Sequence, residues 1–346
     1  MAGLFEPFPI GKLELKNRVV MSPMLLPLAT DDGEVTPALR EHYVRRAQGG
    51  VGFIIVGGAY VLEEGKLMAR GHGASEDRHI SGLRSLVDAV HANGAKIVLQ
   101  LGQLGIRDPS AVGGKGPGEI HLGGKPVEDY SLEEIQRIVA AFGAAAMRTK
   151  EAGFDAIEVH CSSVFLLHQF ISPYSNRRSD EYGGSFESRM KLPLEVMAVV
   201  REKVGPEFVV GCRIPHDEIV EGGLSLADTR EVAKGLVKAG ADYVRVVVGV
   251  APPRGRPDSQ RTSRPDPEGE LLPLAANMRK AVAAPLIATG GIASHETASQ
   301  VLQEAKADLV ALGTALLADP DWLSHSPHYV QIFPGLAYCP QCSRKI

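Results

Sequence analysis

The chain has 346 residues and a net charge of −4, from 37 Lys plus Arg against 41 Asp plus Glu. With 44% hydrophobic and 23% charged residues it can bury a large core, so a disordered or fibrous chain is not expected. The charge provides no basic surface for a polyanion, and we therefore do not expect nucleic acid as a partner.

Short apolar runs alternate with longer segments of helical periodicity along the whole chain. This alternation is typical of βαβ units, which build a parallel sheet. The predicted strands span residues 18–24, 53–57, 96–101, 156–160, 208–213, 243–248, 286–289 and 309–312. The predicted helices between them include 80–92, 132–152, 187–204, 226–239 and 296–304. In the second of these helices, Ser131 and Glu134 fit an N-terminal cap and Gly153 fits a glycine C-terminus.

The repeated strand–helix units predict an α/β fold, a single-domain (β/α)8 TIM barrel over residues 1–346. An open Rossmann sheet is the alternative, but it needs G-x-G-x-x-G after the first strand, where the sequence reads SPMLLP from Ser22. Gly- and Pro-rich stretches at 111–125 and 251–270 are expected to be long loops over the active-site face. Residues 320–346 are expected to form a C-terminal extension.

Two kinds of residue follow the predicted strands and indicate a site at the carboxyl end of the barrel. The last two strands end in Gly290-Gly291 and in Gly313, and loops at these places in barrels often bind phosphate through backbone N–H groups. A single glycine pair after a strand is as often a tight turn as a phosphate site. Glycines after both of the last two strands favour a phosphorylated ligand. Gln100, His160 and Arg213 end strands three to five, and together they favour a site over three unrelated rim residues.

Five stretches of the chain carry recognisable motifs, such as NRRSDEYGGS at 176–185; the others lie at 4–7, 15–24, 151–160 and 166–173. Together they resemble the old yellow enzyme family of FMN oxidoreductases. The layout is most similar to the barrel domain of the 2,4-dienoyl-CoA reductase branch. The likeness runs from about residue 4 to the end of the chain.

The resemblance implies an FMN cofactor on the barrel mouth. Gln100 would bond the pyrimidine edge, and Arg213 would lie near N1 and O2, where a fixed cation stabilises the negative charge of reduced flavin. The backbone along the flavin would come from Ser22, Pro23, Met24, Leu25 and Gly58. The phosphate would be held by Gly290, Gly291, Gly313 and Thr314.

The resemblance also implies NAD(P)H as the reductant and ping-pong hydride transfer to a small activated alkene or enone. No second nucleotide motif is present, in keeping with NAD(P)H and substrate taking turns over one flavin face. In the family, two side chains bind the carbonyl oxygen of the substrate and a tyrosine protonates its α-carbon. A homodimer is a further expectation from the family.

This chain departs from the family pattern at the catalytic motif. Where the family has H-x-x-H-G-Y or H-x-x-N-x-Y, the sequence reads HCSSVF from His160 to Phe165. His160 is retained as the expected catalytic and substrate-binding residue, Ser163 replaces its partner, and Phe165 has no proton to give. Leu25 replaces the Thr or Cys that bonds flavin O4, so an apolar substrate pocket of Leu25, Val164 and Phe165 is expected. Thr314 stands where an arginine usually meets the phosphate.

These departures indicate altered chemistry and leave alternatives open. Without a donor the protein could be an isomerase, a desaturase or a dehydrogenase with no net NAD(P)H consumption, or a non-catalytic flavin-binding protein. The retained Gln100, His160 and Arg213 count against the last hypothesis. A barrel isomerase or aldolase would need a lysine or glutamate at a strand end, whereas Glu158 lies inside a strand and is interpreted as structural. Four residues could replace the missing proton donor, although for each of them a structural role is favoured over a catalytic one: Tyr60, His72, Tyr174 and Arg245.

The two ends of the chain and its cysteines predict the compartment. The first seven residues lack a basic segment followed by an apolar one, and no apolar run approaches the ~20 residues that span a bilayer. We therefore expect a cytoplasmic protein with no membrane partner and with reduced thiols at Cys161 and Cys212. Cys339 and Cys342 fall where an iron–sulfur motif begins in the dienoyl-CoA reductase branch, but the next ligand position is Ile346, so no metal is expected.

Overall fold

The computed structural model describes residues 3–324, except for 106–114, 119–120, 123–124, 127, 164, 219, 248–270 and 305–306, and two short strands beyond them. The predicted loop at 251–270, most of the loop at 111–125 and most of the extension at 320–346 lie outside the described residues. The bounds of these segments, and the role of Cys339 and Cys342, therefore stay predictions.

Parallel strands close into a barrel, which confirms the predicted (β/α)8 fold. In chain order they are β1 Val19–Met21, β2 Phe53–Tyr60, β3 Lys96–Gly102, β4 Ala156–His160, β5 Val209–Pro215, β6 Tyr243–Val247, β7 Leu286–Thr289 and β8 Leu309–Leu312. Each strand pairs with the next, and β8 pairs with β1 to complete the ring.

Helices surround the barrel. They are α1 Pro37–Gln48, α2 His79–His91, α3 Leu132–Glu151, α4 Leu166–Ile171, α5 Phe186–Val204, α6 Leu226–Lys238, α7 Leu271–Arg279, α8 His295–Gln303 and α9 Thr314–Ala318. Ser131 and Glu134 form the predicted capping box of α3, and Gly153 after its end has φ +93°, a conformation that glycine adopts without strain. No helix in the described part of the chain is long and apolar enough to cross a membrane.

The remaining elements are short. A 3₁₀ turn spans Glu63–Gly65. In the described part of the chain four two-stranded pairs lie outside the barrel, and three of them are Lys115–Gly116 with Glu128–Asp129, His121–Leu122 with Lys125–Pro126, and Tyr338–Cys339 with Arg344–Lys345. A hairpin of Phe8–Ile10 and Leu13–Leu15 packs its apolar residues into one cluster with the inward residues at the start of the barrel strands, such as Val20, Phe53 and Tyr243. The hairpin therefore closes the amino end of the barrel, and polar chemistry is left to the carboxyl end.

The bounds of the first two strands differ from the prediction, and the difference shapes the site. The N–H of Ser22 still bonds Leu312 O on β8, but Pro23 has no N–H to continue the ladder, and strand β1 ends at Met21. Strand β2 runs on to Tyr60 through a register shift between Val56 and Ala59. Gly57 is required at this bulge, since a Cβ there would lie 2.5 Å from Met24 O.

Candidate active site

An ion pair lies inside the barrel, one layer below the mouth. The carboxylate of Glu158 on β4 accepts hydrogen bonds from Arg245 Nε at 2.8 Å and Nη2 at 2.6 Å, and from Gln100 Nε2 at 2.6 Å. Both charged side chains are at most 1% exposed. Gln100 Oε1 in turn accepts the N–H of Gly58 at 3.2 Å, which ties this network to the bulge of β2. Glu158 is therefore structural, as predicted.

His160 lies two residues along the same strand, so its side chain points to the same side as Glu158 but at the barrel mouth. Its Nδ1 accepts the N–H of Ser162 at 3.2 Å, and its Nε2 lies 3.1 Å from Nη1 of Arg213. Burial, together with the cations of Arg213 and Arg245, holds the pKa of His160 well below its usual range. The imidazole is therefore neutral at pH 7 and can accept at only one nitrogen. Arg213 can only donate, so it competes with the N–H of Ser162 for that acceptor role, and when Nδ1 accepts from Ser162 the proton lies on Nε2.

Arg213 on β5 is the partner of His160 in this contact at the mouth. Burial and the nearby Arg245 lower its pKa to about 9, which leaves it charged at pH 7. Its buried Nε has no hydrogen-bond partner among the described residues. With the proton on Nε2, the imidazole and the guanidinium of Arg213 are both donors, and they need an acceptor that lies beside them. A carbonyl oxygen or an anion would satisfy both.

Phe165 packs directly against His160. The two rings stack with centroids 3.7 Å apart and an interplanar angle of 20°. Gly102 at the end of β3 makes room for the phenyl ring, since a Cβ there would lie 2.5 Å from Phe165 Cε1. Leu25 completes an apolar wall and is 43% exposed at the mouth. Ser163 precedes this wall with φ +59°, and Val164 lies outside the described residues.

The residues predicted for phosphate binding lie at neighbouring strand ends. Gly290 and Gly291 follow β7 with φ +124° and +57°, and Gly313 follows β8 as the residue before α9, whose first residue is Thr314. A Cβ at Gly313 would lie 3.4 Å from Met24 Sδ and 3.7 Å from Ser22 Cβ. The segment from Ser22 to Met24 and Gly313 after β8 therefore border one surface of the mouth.

The residues present fit the FMN that the family resemblance implies. The buried Ser22 Oγ, on the side of the glycines, and the buried Arg213 Nε, across the mouth, both lack partners among the described residues. Gln100 keeps one free acceptor position and one free N–H after its bonds to Gly58 and Glu158. A ligand with polar atoms along its length would satisfy these groups, and the glycine-lined rim allows close approach to backbone N–H groups.

The four candidate replacements for the missing tyrosine have different surroundings. Arg245 is held by Glu158, and the hydroxyl of Tyr60 donates to Asp32 O at 3.2 Å. The backbone N–H of Tyr174 donates to Ser172 Oγ at 3.1 Å, and the side chain is half-buried. His72 is buried, and its Nε2 has no partner within the described ranges. Arg245 and Tyr60 are therefore engaged in structural contacts.

Glu218 is a buried acid near the site that the sequence did not predict. Glu218 accepts hydrogen bonds from His168 Nε2 at 2.9 Å, from Ser172 Oγ at 2.6 Å and from the N–H of Leu224 at 2.6 Å. Burial opposes ionisation, but these bonds outweigh it and hold the pKa of Glu218 below its usual range. The contact fixes α4, which begins directly after Phe165, to the loop after β5. No sequence signal linked these two segments.

Comparison with known proteins assigns the family. Residues 3–330 match the model of the NADH:flavin oxidoreductase / NADH oxidase family. The chain belongs to this family. It is 39% identical over 327 residues to an NADH oxidase of Thermoanaerobacter brockii, with 92% of this chain and 50% of that protein covered. It is 37% identical over 325 residues to an NADPH dehydrogenase of a Geobacillus species, with 92% of each covered.

A solved structure gives the same result. The old yellow enzyme homologue of Zymomonas mobilis superposes with a TM-score of 0.78 at 25% identity, covering 93% of this chain and 91% of that one. Family membership confirms the resemblance, the oxidoreductase class and FMN with NAD(P)H as reductant. The chain spans only about half the length of the Thermoanaerobacter NADH oxidase, so the reaction and substrate of the whole protein are matters for proposal.

Proposed function

We propose that the chain catalyses ping-pong hydride transfer between NAD(P)H, FMN and a small activated alkene such as an enone. FMN, held by the residues at the barrel mouth, would supply the hydride chemistry between the nicotinamide and the β-carbon of the alkene. The observation that carries the proposal is that His160 Nε2 and Arg213 Nη1 lie 3.1 Å apart at the mouth, next to the Arg213 Nε that has no partner among the described residues. The names NADPH dehydrogenase and NADH oxidase of the relatives support the choice of reductant.

In this proposal His160 is the catalytic residue. Its neutral Nε2–H binds the carbonyl oxygen of the substrate, and negative charge that develops on that oxygen strengthens the hydrogen bond in the transition state. Ser163 supplies a second, shorter donor. Phe165 holds the imidazole plane by stacking and, with Leu25, keeps the pocket apolar. Water gives the α-carbon its proton, because Phe165 has none to give.

In this proposal FMN contacts the residues that border the barrel mouth. Arg213 would stabilise the part of the flavin that becomes negative on reduction, and Gln100 would bond its pyrimidine edge. Ser22, Pro23, Met24, Leu25 and Gly58 would supply the backbone beside the ring. Gly290, Gly291, Gly313 and Thr314 would hold the phosphate. A cytoplasmic location and a homodimer remain part of the same prediction.

A second candidate is favoured by Phe165 itself. The phenyl ring is 5% exposed and fills the place of the expected tyrosine, so the site carries no hydroxyl there to complete a reduction. An isomerase or desaturase without net NAD(P)H consumption needs no such donor. The two functions differ in stoichiometry: the reductase oxidises one NAD(P)H per product, whereas the isomerase forms product with only catalytic reduction of the cofactor.

The deciding experiment is an anaerobic titration of the FMN-loaded protein with NADPH, followed by its visible absorbance. Rapid bleaching, and reoxidation by an enone such as 2-cyclohexenone with equal product, is the expected result. Bleaching without such a stoichiometry would favour the isomerase. A protein that does not bind FMN, or that NADPH does not bleach, would contradict the proposed reaction.

A further inference from the structure

A narrow cleft lies beside the mouth, next to but separate from the pair of His160 and Arg213. Its wall includes Leu25, Gly58, Tyr60, Met68 and His72. Gly58 joins this cleft to the site, because a Cβ there would lie 2.9 Å from Leu25 Cδ2 and 3.9 Å from Phe165 Cζ. The cleft and the substrate wall therefore share the side chain of Leu25.

His72 is the polar residue of this wall whose nitrogen is unsatisfied. The side chain is 2% exposed, and its Nε2 has no hydrogen-bond partner in the part of the chain that the structure describes. The backbone holds it in place, since Tyr60 N donates to His72 O at 3.4 Å and Ala74 N donates to Tyr60 O at 2.9 Å. A buried nitrogen left without a partner is costly, so its retention here points to an occupant that bonds it.

The other polar group of the cleft is already used. The hydroxyl of Tyr60 donates to Asp32 O at 3.2 Å. A Cβ at Gly33 would lie 2.9 Å from Tyr60 Cζ and one at Gly73 would lie 2.5 Å from it, so both glycines confine the tyrosine. Leu67 and Met68 add apolar surface. Among the described side chains of this wall, His72 Nε2 is therefore the unpartnered hydrogen-bonding atom, and the cleft, with a free volume of about 10 Å³, admits a single water-sized group such as one oxygen.

The charge state of His72 selects the kind of occupant. Burial and the neighbouring His79 lower the pKa of His72 to about 4, so the ring is neutral at pH 7. No cation lines the cleft among the described residues, and a carboxylate there would lose its hydration without a counter-charge. A neutral imidazole is also a poor acid, so His72 is suited to bind a ligand and not to replace the tyrosine as proton donor.

We propose that this cleft is a substrate subsite, in which His72 Nε2 hydrogen-bonds a neutral oxygen, hydroxyl or carbonyl, of a ligand whose apolar body lies against Leu25 and Phe165. The proposal rests on the proposed function, because it places the ligand next to the hydride-transfer site. It specifies the substrate as an apolar molecule with a neutral oxygen function directed at His72, beside the end of β2, and not as a carboxylate.

The test uses FMN-loaded, oxidised protein without nicotinamide, and two probes of similar shape, benzyl alcohol and toluene. Binding is followed by the side-chain ¹⁵N resonances of labelled histidines, with His72 assigned from the His72→Leu variant. We expect benzyl alcohol to shift the His72 signal. We also expect His72→Leu to weaken benzyl alcohol about threefold to tenfold, the size of one neutral hydrogen bond, while toluene binding is unchanged.

Two further variants keep the test decisive. His72→Asn retains a hydrogen-bonding group and should recover part of the preference for the alcohol, and it replaces His72→Leu if that variant does not fold. Tyr60→Phe changes the same wall without removing a free group and should leave the preference intact. The proposal is overturned if the preference survives in His72→Leu, if only His160 responds to the alcohol, or if His72 responds to neither probe and holds a bound water only. Failure of the proposed function would look different, since the wild-type protein would not bleach with NADPH.

Discussion

Arg245 and Arg213 lie opposite each other on neighbouring strands, yet their surroundings differ completely. They are register partners in the pairing of β6 with β5. Arg245 is buried inside the barrel and makes two short hydrogen bonds to Glu158. Arg213 stands at the mouth, beside the neutral His160, and its Nε has no partner among the described residues.

Arg245 has a charge that is neutralised within the fold, whereas Arg213 has a charge that is available to a ligand. Inside the barrel no ligand can enter, so a charge there persists only when its partners are part of the chain. At the mouth an unsatisfied donor costs stability in the protein alone and is compensated when a ligand binds. Substitutions in the two places should therefore have opposite effects on folding and on binding.

The largest effect is expected for the interior pair. Glu158→Gln removes the charge that Arg245 needs and should lower the free energy of unfolding by about 3–5 kcal/mol, measured by urea denaturation of the FMN-free protein. Replacing both residues, as Glu158→Leu with Arg245→Met, should recover most of this loss because no charge is then left unpaired. A loss below about 1 kcal/mol in Glu158→Gln would show that the pair is not the support we describe.

The converse is expected at Arg213. Arg213→Met should weaken FMN binding roughly 10- to 100-fold, the equivalent of about 1.5–3 kcal/mol for a hydrogen bond to a charged group. Its free energy of unfolding without FMN should stay within about 1 kcal/mol of wild type, because no acidic partner is lost. Fluorescence titration of FMN and urea denaturation give the two numbers, and Arg213→Lys, which keeps the charge, serves as control. A variant as unstable as Glu158→Gln would erase the distinction between the two arginines.

The sequence predicted where the strands and the rim residues lie, but it did not predict which of the two arginines is paired with an acid. Strand positions and the rim placement of Gln100, His160 and Arg213 followed from alternation and from the rule that barrel sites lie at strand ends. The pairing of Glu158 with Arg245 did not follow, because it joins two strands that are not neighbours and depends on which residues share a layer. From the sequence alone, Arg245 is therefore still a candidate proton donor.

The contacts that fold the mouth were the hardest to predict. The missing hydroxyl of Phe165 is visible in the sequence, but the stacking of its ring on His160 depends on the space left by Gly102, far away in the chain. The cleft at His72 likewise depends on the bulge in β2. In the sequence this stretch has the pattern of an ordinary strand followed by two glycines, so the bulge is not predicted. Side-chain layers and bulges are set by three-dimensional packing, which periodicity alone does not encode.

The mouth should also differ from the interior in its response to acid. The pKa of His72, about 4 when folded against about 6.5 when unfolded, means that the unfolded chain binds the proton more readily between these values. The free energy of unfolding therefore falls as the pH drops from 6.5 towards 4, by up to about 1.4 kcal/mol per pH unit for this group. Denaturation at pH 7, 6 and 5 should show a shallower loss in His72→Leu than in the wild type or in Tyr60→Phe. Equal slopes in all three would mean that His72 is not held neutral by the fold.

The smallest effect concerns backbone strain at the mouth. Ser163 has φ +59°, a conformation that costs an L-residue free energy and glycine almost none, so Ser163→Gly should raise the free energy of unfolding by about 0.5–1 kcal/mol. Ser163→Ala keeps the Cβ and should not. Both variants lose the hydroxyl and should bind 2-cyclohexenone more weakly than wild type, as measured by perturbation of the flavin absorbance. A gain in stability confined to the glycine variant, with weaker ligand binding in both, would show that the strain at Ser163 serves the site. Unchanged ligand binding in both variants would leave carbonyl recognition to His160 alone.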